Sequence, residues 1–382
     1  MRVFLKTASY ALVIAGIASF CASGAYAQAA ASQNNELAVL MKKAQSGDAA
    51  AEFELGRDYD SGHLVKKDVV LAVVWYRKAA EQGNAFAQTM LAMSYGSGIG
   101  VPKNNTQSDI WFRKAAEQGV AYAQFNVGGS YASGEDVPRD YVQAAVWYRK
   151  AAEQGLAEGQ NSLGRSYLRG EGVPQDSAQG AMWIQKAAEQ GNAVAQSNLG
   201  VLYWAGQGVP QDFAQAATWF RKGAEQGIAG SQSHLGGLYL SGEGVPQDYA
   251  LAAVWFRKAA DQGDESAQYR LGALYSLGVG VPQDYAQAAV WYRKSAEQGD
   301  ADAQAYLGAL YGAGNGVPQD YAEAYFWLAI ALAGNIEDKE QRGKAVIARD
   351  HNSSLLTPSK LQEVQARATK WFAEHKPTNK AQ

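Results

Sequence analysis

Asp264-Glu-Ser-Ala-Gln-Tyr-Arg-Leu-Gly-Ala-Leu-Tyr-Ser-Leu-Gly-Val-Gly-Val-Pro-Gln-Asp-Tyr-Ala-Gln-Ala-Ala-Val-Trp-Tyr-Arg-Lys-Ser-Ala-Glu-Gln-Gly299 is a 36-residue segment that the chain writes eight times over. Its first half places Ala267, Leu271, Leu274 and Tyr275 on one face at helical spacing, which predicts a first helix, helix A. Gly272 sits inside that helix, where glycine costs about 1 kcal/mol against alanine unless another helix packs there. Gly278-Val-Gly280 ends the helix, and Pro282 follows. Asp284 can N-cap a second helix, helix B, with Gln287 three residues on completing a capping-box pattern. The same pairs recur as Asp140 with Gln143 and Asp212 with Gln215. Tyr285, Ala288, Ala289, Trp291 and Tyr292 give helix B a broad apolar face, Lys294 suits its last turn, and Gly299 stops it. A helical hairpin of this size cannot bury its own faces. Trp291 and Tyr275 are covered only if neighbouring hairpins stack on them.

The spacing is invariant. Tryptophans stand at 75, 111, 147, 183, 219, 255, 291 and 327, and prolines at 102, 138, 174, 210, 246, 282 and 318. Glycines keep the same step at 47, 83, 119, 155, 191, 227, 263 and 299, which marks a solenoid. Glycine recurs at the Gly272 place in every copy but the second, where Ala92 stands, so close helix approach is expected there. The repeats cover 48–335. Residues 28–47 read as a linker with an N-terminal capping helix, because Leu40 to Gly47 echoes the end of a helix B. Residues 336–375 read as two more polar capping helices, around 337–350 and 358–374, and 376–382 as a flexible tail.

The recurring Ala-Gln…Leu-Gly…Tyr…Gly-x-Gly-Val-Pro-Gln-Asp-Tyr…Ala-Ala-x-Trp-Tyr-Arg-Lys-Ala-Ala-Glu-Gln-Gly resembles the Sel1-like repeat, a relative of the tetratricopeptide repeat. The resemblance implies an all-α, right-handed α-solenoid of eight helical hairpins with helical caps. In such a fold the A helices line a concave groove for proteins or peptides. Family members serve as adaptors in secretion, envelope maintenance, signalling and host contact.

The bulk properties agree with a packed chain. Apolar residues make up 47% and charged residues 19%, enough to build a core. Arg2 and Lys6, the apolar stretch Ala8 to Ala22 and the small-x-small site Ala25-Tyr26-Ala27 read as a signal peptide over 1–27, leaving Gln28 first. An uncleaved anchor competes with this, but the apolar stretch is short for a bilayer. The bulky Phe20 before Cys21 argues against lipoprotein processing, so cleavage leaves no cysteine. The formal charge of −3 becomes −5 once Arg2 and Lys6 are removed with no acid, which gives nucleic acid no electrostatic footprint. No later segment is apolar enough to cross a membrane. The expected location is the periplasm, with full secretion as the alternative.

If packing holds the agreeing positions, the differing ones are free for specificity. With Asp48 and Asn84 counted as position 1, variation concentrates at positions 3, 6, 10 and 13, one stripe of helix A. In related repeats that stripe faces the groove. Its aromatic, aliphatic and cationic members are Arg57, Phe86, Met93, Tyr122, Phe125, Arg165, Leu168, Trp204 and Tyr269, the usual chemistry of protein contact hot spots. The competing reading is that some of them fill gaps between neighbouring A helices.

Catalytic readings find little in the residues. His63, His234, His351 and His375 are scattered without metal-ligand spacing, so no metal is expected. Asp58-Tyr-Asp60-Ser-Gly62 falls short of a calcium loop because its glycine comes one place early. The Gly-x-Gly-Val-Pro segments lie between helices and lack a Walker lysine, so turns explain them better than phosphate binding. A cysteine-rich branch of the Sel1-like family is linked to binding or hydrolysing β-lactams. This chain lacks those cysteines and any Ser-x-x-Lys or Gly-x-Ser-x-Gly. The expectation is a non-catalytic scaffold without cofactor that binds a protein or peptide, with a β-lactam or a cell-wall glycan as alternative ligands.

Position 11 divides the copies. It is Asp58, Ser94, Ser130 and Ser166 in the first four but Leu202, Leu238, Leu274 and Leu310 in the last four. A buried leucine is worth about 1.5–3 kcal/mol, so the N-terminal copies should exchange backbone amides faster. Uniform protection along the array in hydrogen exchange would sink that expectation.

Overall fold

The computed structural model describes residues 35–375 except 136, 335 and 337, so the expected signal, residues 1–27, and the tail, 376–382, lie outside it. The described residues form nineteen helices in two compact units that divide after Gln175. The first unit holds α1 (35–45), α2 (Ala49–Ser61), α3 (Val69–Glu81), α4 (Ala85–Ser97), α5 (Asn105–Glu117), α6 (Ala121–Ser133), α7 (Tyr141–Glu153) and α8 (Ala157–Arg169). The second holds α9 (Ser177–Glu189), α10 (Ala193–Ala205), α11 (Phe213–Glu225), α12 (Ala229–Ser241), α13 (Tyr249–Asp261) and α14 (Glu265–Leu277). It continues through α15 (Tyr285–Gln298), α16 (Ala301–Ala313), α17 (Tyr321–Ala333), α18 (Lys339–Ser354) and α19 (Pro358–Glu374). From α2 to α17 the even helices are A and the odd ones B, and within each unit consecutive helices pack pairwise. The fold is the all-helical repeat expected from the periodicity.

In five of the eight copies helix A gives up a side chain to receive a ring from its own helix B, at Gly56, Gly128, Gly200, Gly236 and Gly272. A Cβ on Gly272 would lie 2.8 Å from the Tyr292 ring, and one on Gly236 would lie 2.9 Å from Phe256, both rings fully buried. Phe112, opposite the exceptional Ala92, is only half-buried. The turn between the helices stacks on the preceding copy. Gly278 caps α14 at φ +68°, and Gly280, at φ +71°, lies so near Tyr249 that a Cβ would meet its carbonyl oxygen at 2.2 Å. The Gly-x-Gly segments are therefore structural turns.

The caps of helix B differ from the expected box in one respect. Asp284 accepts from the Gln287 N–H, and Asp140 and Asp212 accept in the same way from Gln143 and Gln215. The glutamine side chain does not return the bond. The backbone N–H of Asp284 donates to the Tyr275 carbonyl at 2.9 Å, and those of Asp140 and Asp212 go to Tyr131 and Tyr203. Helix A thus supplies the acceptor that the box would have drawn from within helix B.

A buried glutamine at position 5 joins successive copies. In the second unit the Gln268 amide donates to the Ala260 carbonyl at 3.1 Å, at the end of the preceding helix B. Its oxygen accepts from Gln298 at 2.7 Å, at the end of its own helix B. Gln88 and Gln124 do the same in the first unit with Ala80 and Gln118, and with Ala116 and Gln154. On the surface the lysine three residues after each of seven tryptophans lies over its ring, as Lys294 does over Trp291 at 4.1 Å. This is a cation–π contact as well as a dipole one. An arginine of helix B also reaches the tyrosine hydroxyl of the next hairpin's helix A, eighteen residues on in sequence, as Arg221 of α11 does with Tyr239 of α12 at 2.7 Å. Gln185 replaces that arginine in the fourth copy and bonds Glu189 instead.

The ends are covered by ordinary packing. On α1, Leu37, Leu40 and Met41 pack against Ala51 and Leu55. On α19, Val364 and Ala368 are buried with Phe326, Trp327 and Ile330 of α17, and Arg367 pairs with Glu323 while lying over Phe326 at 3.7 Å. Position 11 behaves as its residue types require. Leu202, Leu238, Leu274 and Leu310 are buried. Ser94 and Ser130 turn their hydroxyls back to carbonyls four residues earlier, and Asp58 faces His63 at 3.2 Å.

Adjacent glycines of α12 make opposite predictions. Gly236→Ala drives a methyl into the immobile Phe256 ring and should destabilise by about 1–3 kcal/mol. A Cβ on Gly237 meets nothing within 4 Å, so Gly237→Ala should stabilise by about 0.5–1 kcal/mol. Gln268→Leu removes the donor to the Ala260 carbonyl and the acceptor of one Gln298 bond, leaving Gln298 its bond to the Gly263 carbonyl, and should cost about 1–3 kcal/mol. Denaturant midpoints of the three variants check all of these.

Candidate functional site: the outer stripe of the A helices

With the invariant positions spent on packing, the solvent face of each helix A carries the side chains that differ between copies. In the first unit Phe86 is 62% exposed, Met93 40% and Tyr122 39%, and Arg57 and Arg165 are exposed as well. Phe53 on α2 stacks with Phe86 on α4 at 6.2 Å, which makes one surface of two neighbouring A helices. Arg57 lies over Phe53 at 5.9 Å and forks onto Glu54 at 3.1 and 3.2 Å. Tyr122 lies between Phe112 and Phe125, at 6.3 Å from each.

Three of the expected residues divide differently. Phe125 is half-buried with its ring 6.1 Å from Tyr148. Leu168 is half-buried. Tyr269, in the second unit, is half-buried between Tyr292 and Tyr306, at 6.0 and 6.1 Å. At position 6 the side chain points partly into the seam between A and B helices, so its aromatics fill gaps while the position 3 and 10 residues reach solvent.

In the second unit Trp204 of α10 is 43% exposed and meets His234 of α12 at 6.1 Å. His234 stacks on the buried Phe220 at 4.8 Å. Desolvation of the ring face stacked on Phe220 pulls the imidazole below its ordinary value, with Asp264 opposing and Arg270 adding to the effect, so the neutral form faces Trp204 at neutral pH.

His234, Arg270 and Tyr306 occupy position 7, which the stripe of positions 3, 6, 10 and 13 leaves out. All three are exposed. The signal was available, since position 7 reads Glu54, Met90, Asn126, Ser162, Asn198, His234, Arg270 and Tyr306. A second exposed apolar row lies on the B helices one residue before six of the eight repeat tryptophans, at Val74, Ile110 and Val146 in the first unit and Met182, Val254 and Val290 in the second. Among the described residues no group of three or more His, Cys, Asp or Glu could hold a metal ion, and no helix is long and apolar enough to cross a membrane.

Residues 49–84, 85–120, 121–156, 157–192, 193–228, 229–264, 265–300 and 301–335 each match the Sel1 repeat. No curated protein matches the chain. Among solved structures, a Sel1 repeat protein from Oxalobacter formigenes is 34% identical, over 81% of this chain and 89% of its own, with a TM-score of 0.57. A protective antigen present in uropathogenic Escherichia coli strains, displaying an SLR fold, is 33% identical over 88% of this chain and 87% of its own, with a TM-score of 0.46. An immunity protein from Pseudomonas aeruginosa is 22% identical over 61% of this chain and 81% of its own, with a TM-score of 0.35. Eight contiguous family matches make this chain a member of the Sel1 repeat family.

Proposed function

We propose that the chain is an exported, non-catalytic adaptor that holds a protein or peptide on the outer face of its A helices. The observation that carries this reading is the exposure of Phe86, Met93 and Tyr122 on neighbouring helices of the first unit, flanked by Arg57 and Arg165. Large apolar side chains grouped in solvent mark interaction surfaces, and aromatic and arginine anchors supply most of the energy of protein contacts. Trp204, His234 and Tyr306 extend the same chemistry on the second unit. The signal peptide read from residues 1–27 supports delivery to the periplasm or beyond.

The test crosslinks the chain from Gln28 onward in envelope extract of its source, beside a Phe86→Ala, Met93→Ala, Tyr122→Ala variant of matched helicity. Truncation of anchors costs roughly 1–2 kcal/mol each, so a captured protein should bind the variant at least ~100-fold more weakly. Equal capture by both would move the site to another face, and a Val74→Ser, Val146→Ser variant tests the B-helix row. If no protein is captured, the adaptor reading fails and glycans and β-lactams are the next ligands to assay.

A further inference from the structure

Between α6 and α8, above α7, the first unit opens a recess of about 310 Å³. Small residues line it, and one of them stands where later copies carry a leucine. Gly129 and Ala132 form the α6 wall, and Ser166 stands where Leu238 and Leu274 are buried in later copies. Two hydroxyls line it. Ser166 is only 6% exposed, and among the described residues its hydroxyl has no hydrogen-bond partner, unlike those of Ser94 and Ser130 at the same position. Tyr148 is 9% exposed, and its hydroxyl likewise has no partner among the described residues. Arg165 and Arg169 also line the recess. Arg165 has no ion pair among the described residues, while Arg169 meets Glu171 at a loose 3.7 Å.

Two guanidinium groups and one carboxylate leave a single positive charge at the recess. That balance suits a monoanion, whereas a phosphate dianion would leave a net negative charge beside Glu171. The volume lies at the lower end of ligand pockets, roughly 300–1,000 Å³, room for one side chain rather than a cofactor. Burial pushes the Tyr148 phenol above its ordinary value, with Arg165 opposing and Glu171 adding. The phenol therefore keeps its proton at neutral pH and can donate.

We propose that the recess is an anchor pocket for one acidic side chain of a bound peptide, its carboxylate held by Arg165 and Arg169 and accepting from Ser166 and Tyr148. The assignment rests on the reading of the A-helix face as a peptide site and gives that site a preference for Glu or Asp over α6–α8. Charged hydrogen bonds of this kind are the strong ones in peptide recognition, and an uncharged or apolar occupant would forgo them.

The probes are the end-blocked peptide acetyl-Ala-Ala-Glu-Ala-Ala-amide, its Gln counterpart and sodium acetate. Each is titrated into the chain from Gln28 onward while the Ala132 and Ala144 methyl resonances are followed. The Glu peptide should move both methyls saturably, and the Gln peptide and the Arg165→Gln variant should each respond at least ~10-fold more weakly. Ser166→Leu should abolish the response while leaving the unfolding midpoint unchanged or raised, because leucine fills this place in later copies. No saturable shift with the Glu peptide, equal shifts with the Gln peptide, or a full response in Ser166→Leu would overturn the proposal. An equal response to acetate would assign the recess to free carboxylates and overturn the peptide anchor. Partner capture through Phe86, Met93 and Tyr122 is read separately, so either reading can fail while the other stands.

Discussion

The side-chain amide of one buried glutamine in each copy after the first holds successive hairpins in register, and Glu52 stands at that place in the first. Gln268 donates to a carbonyl eight residues back, at the end of the preceding helix B, and accepts from Gln298, thirty residues ahead. One side chain thereby ties three helices, and each helix B ends on a group that it satisfies. The geometry is unforgiving because the amide is buried. A partner shifted by one residue would leave a donor and an acceptor without water, at about 1–3 kcal/mol for each group. The ring-to-glycine contacts then follow, since the register that pairs Gln268 with Gln298 also sets the Tyr292 ring over Gly272.

This division of labour accounts for where variety is found. Positions that recur are consumed: glutamine in the ladder, glycine under the ring, arginine on the tyrosine hydroxyl, lysine over tryptophan. What remains is the outward stripe of helix A and the inward choice at position 11. The two choices interact in the first unit. Where Ser166 replaces leucine and Gly129 and Ala132 leave room beside it, polar hydroxyls and Arg165 share one opening. In the second unit Leu202, Leu238, Leu274 and Leu310 close the same space, and its surface chemistry comes from rings such as Trp204 and Tyr306.

Much of the fold was legible because it depends on periodicity. The step of the tryptophans, the aspartate caps and the Gly-x-Gly turns each follow from local physics that a sequence displays. The glutamine ladder was not legible, since nothing in Ala-Gln or Ala-Glu-Gln-Gly says that two amides thirty residues apart meet. The capping box misled for the same reason, because the Tyr275 carbonyl that replaces Gln287 belongs to another helix. At the surface, helical spacing placed Phe86, Met93, Tyr122, Arg165 and Trp204 on the outward stripe. It could not separate the exposed position 3 from the seam-facing position 6, because that depends on the angle at which helix B crosses. It also left out position 7, whose His234, Arg270 and Tyr306 lie on the edge of the same stripe.

The fixed offsets bear on how such a surface can acquire specificity. Hydrogen bonds here span eight, eighteen, thirty and thirty-five residues, copy after copy. An insertion in either helix or turn would break several of them at once, together with the Gly280 approach to the Tyr249 carbonyl. Binding proteins commonly vary their loops over a rigid scaffold. In this chain the turns themselves are packed against the neighbouring copy, so length variation there carries a structural cost. Substitution on the A-helix stripe carries little, because those side chains contribute to few of the joining contacts. The eight copies match that asymmetry: none departs in length, and each differs from its neighbours where helix A meets solvent.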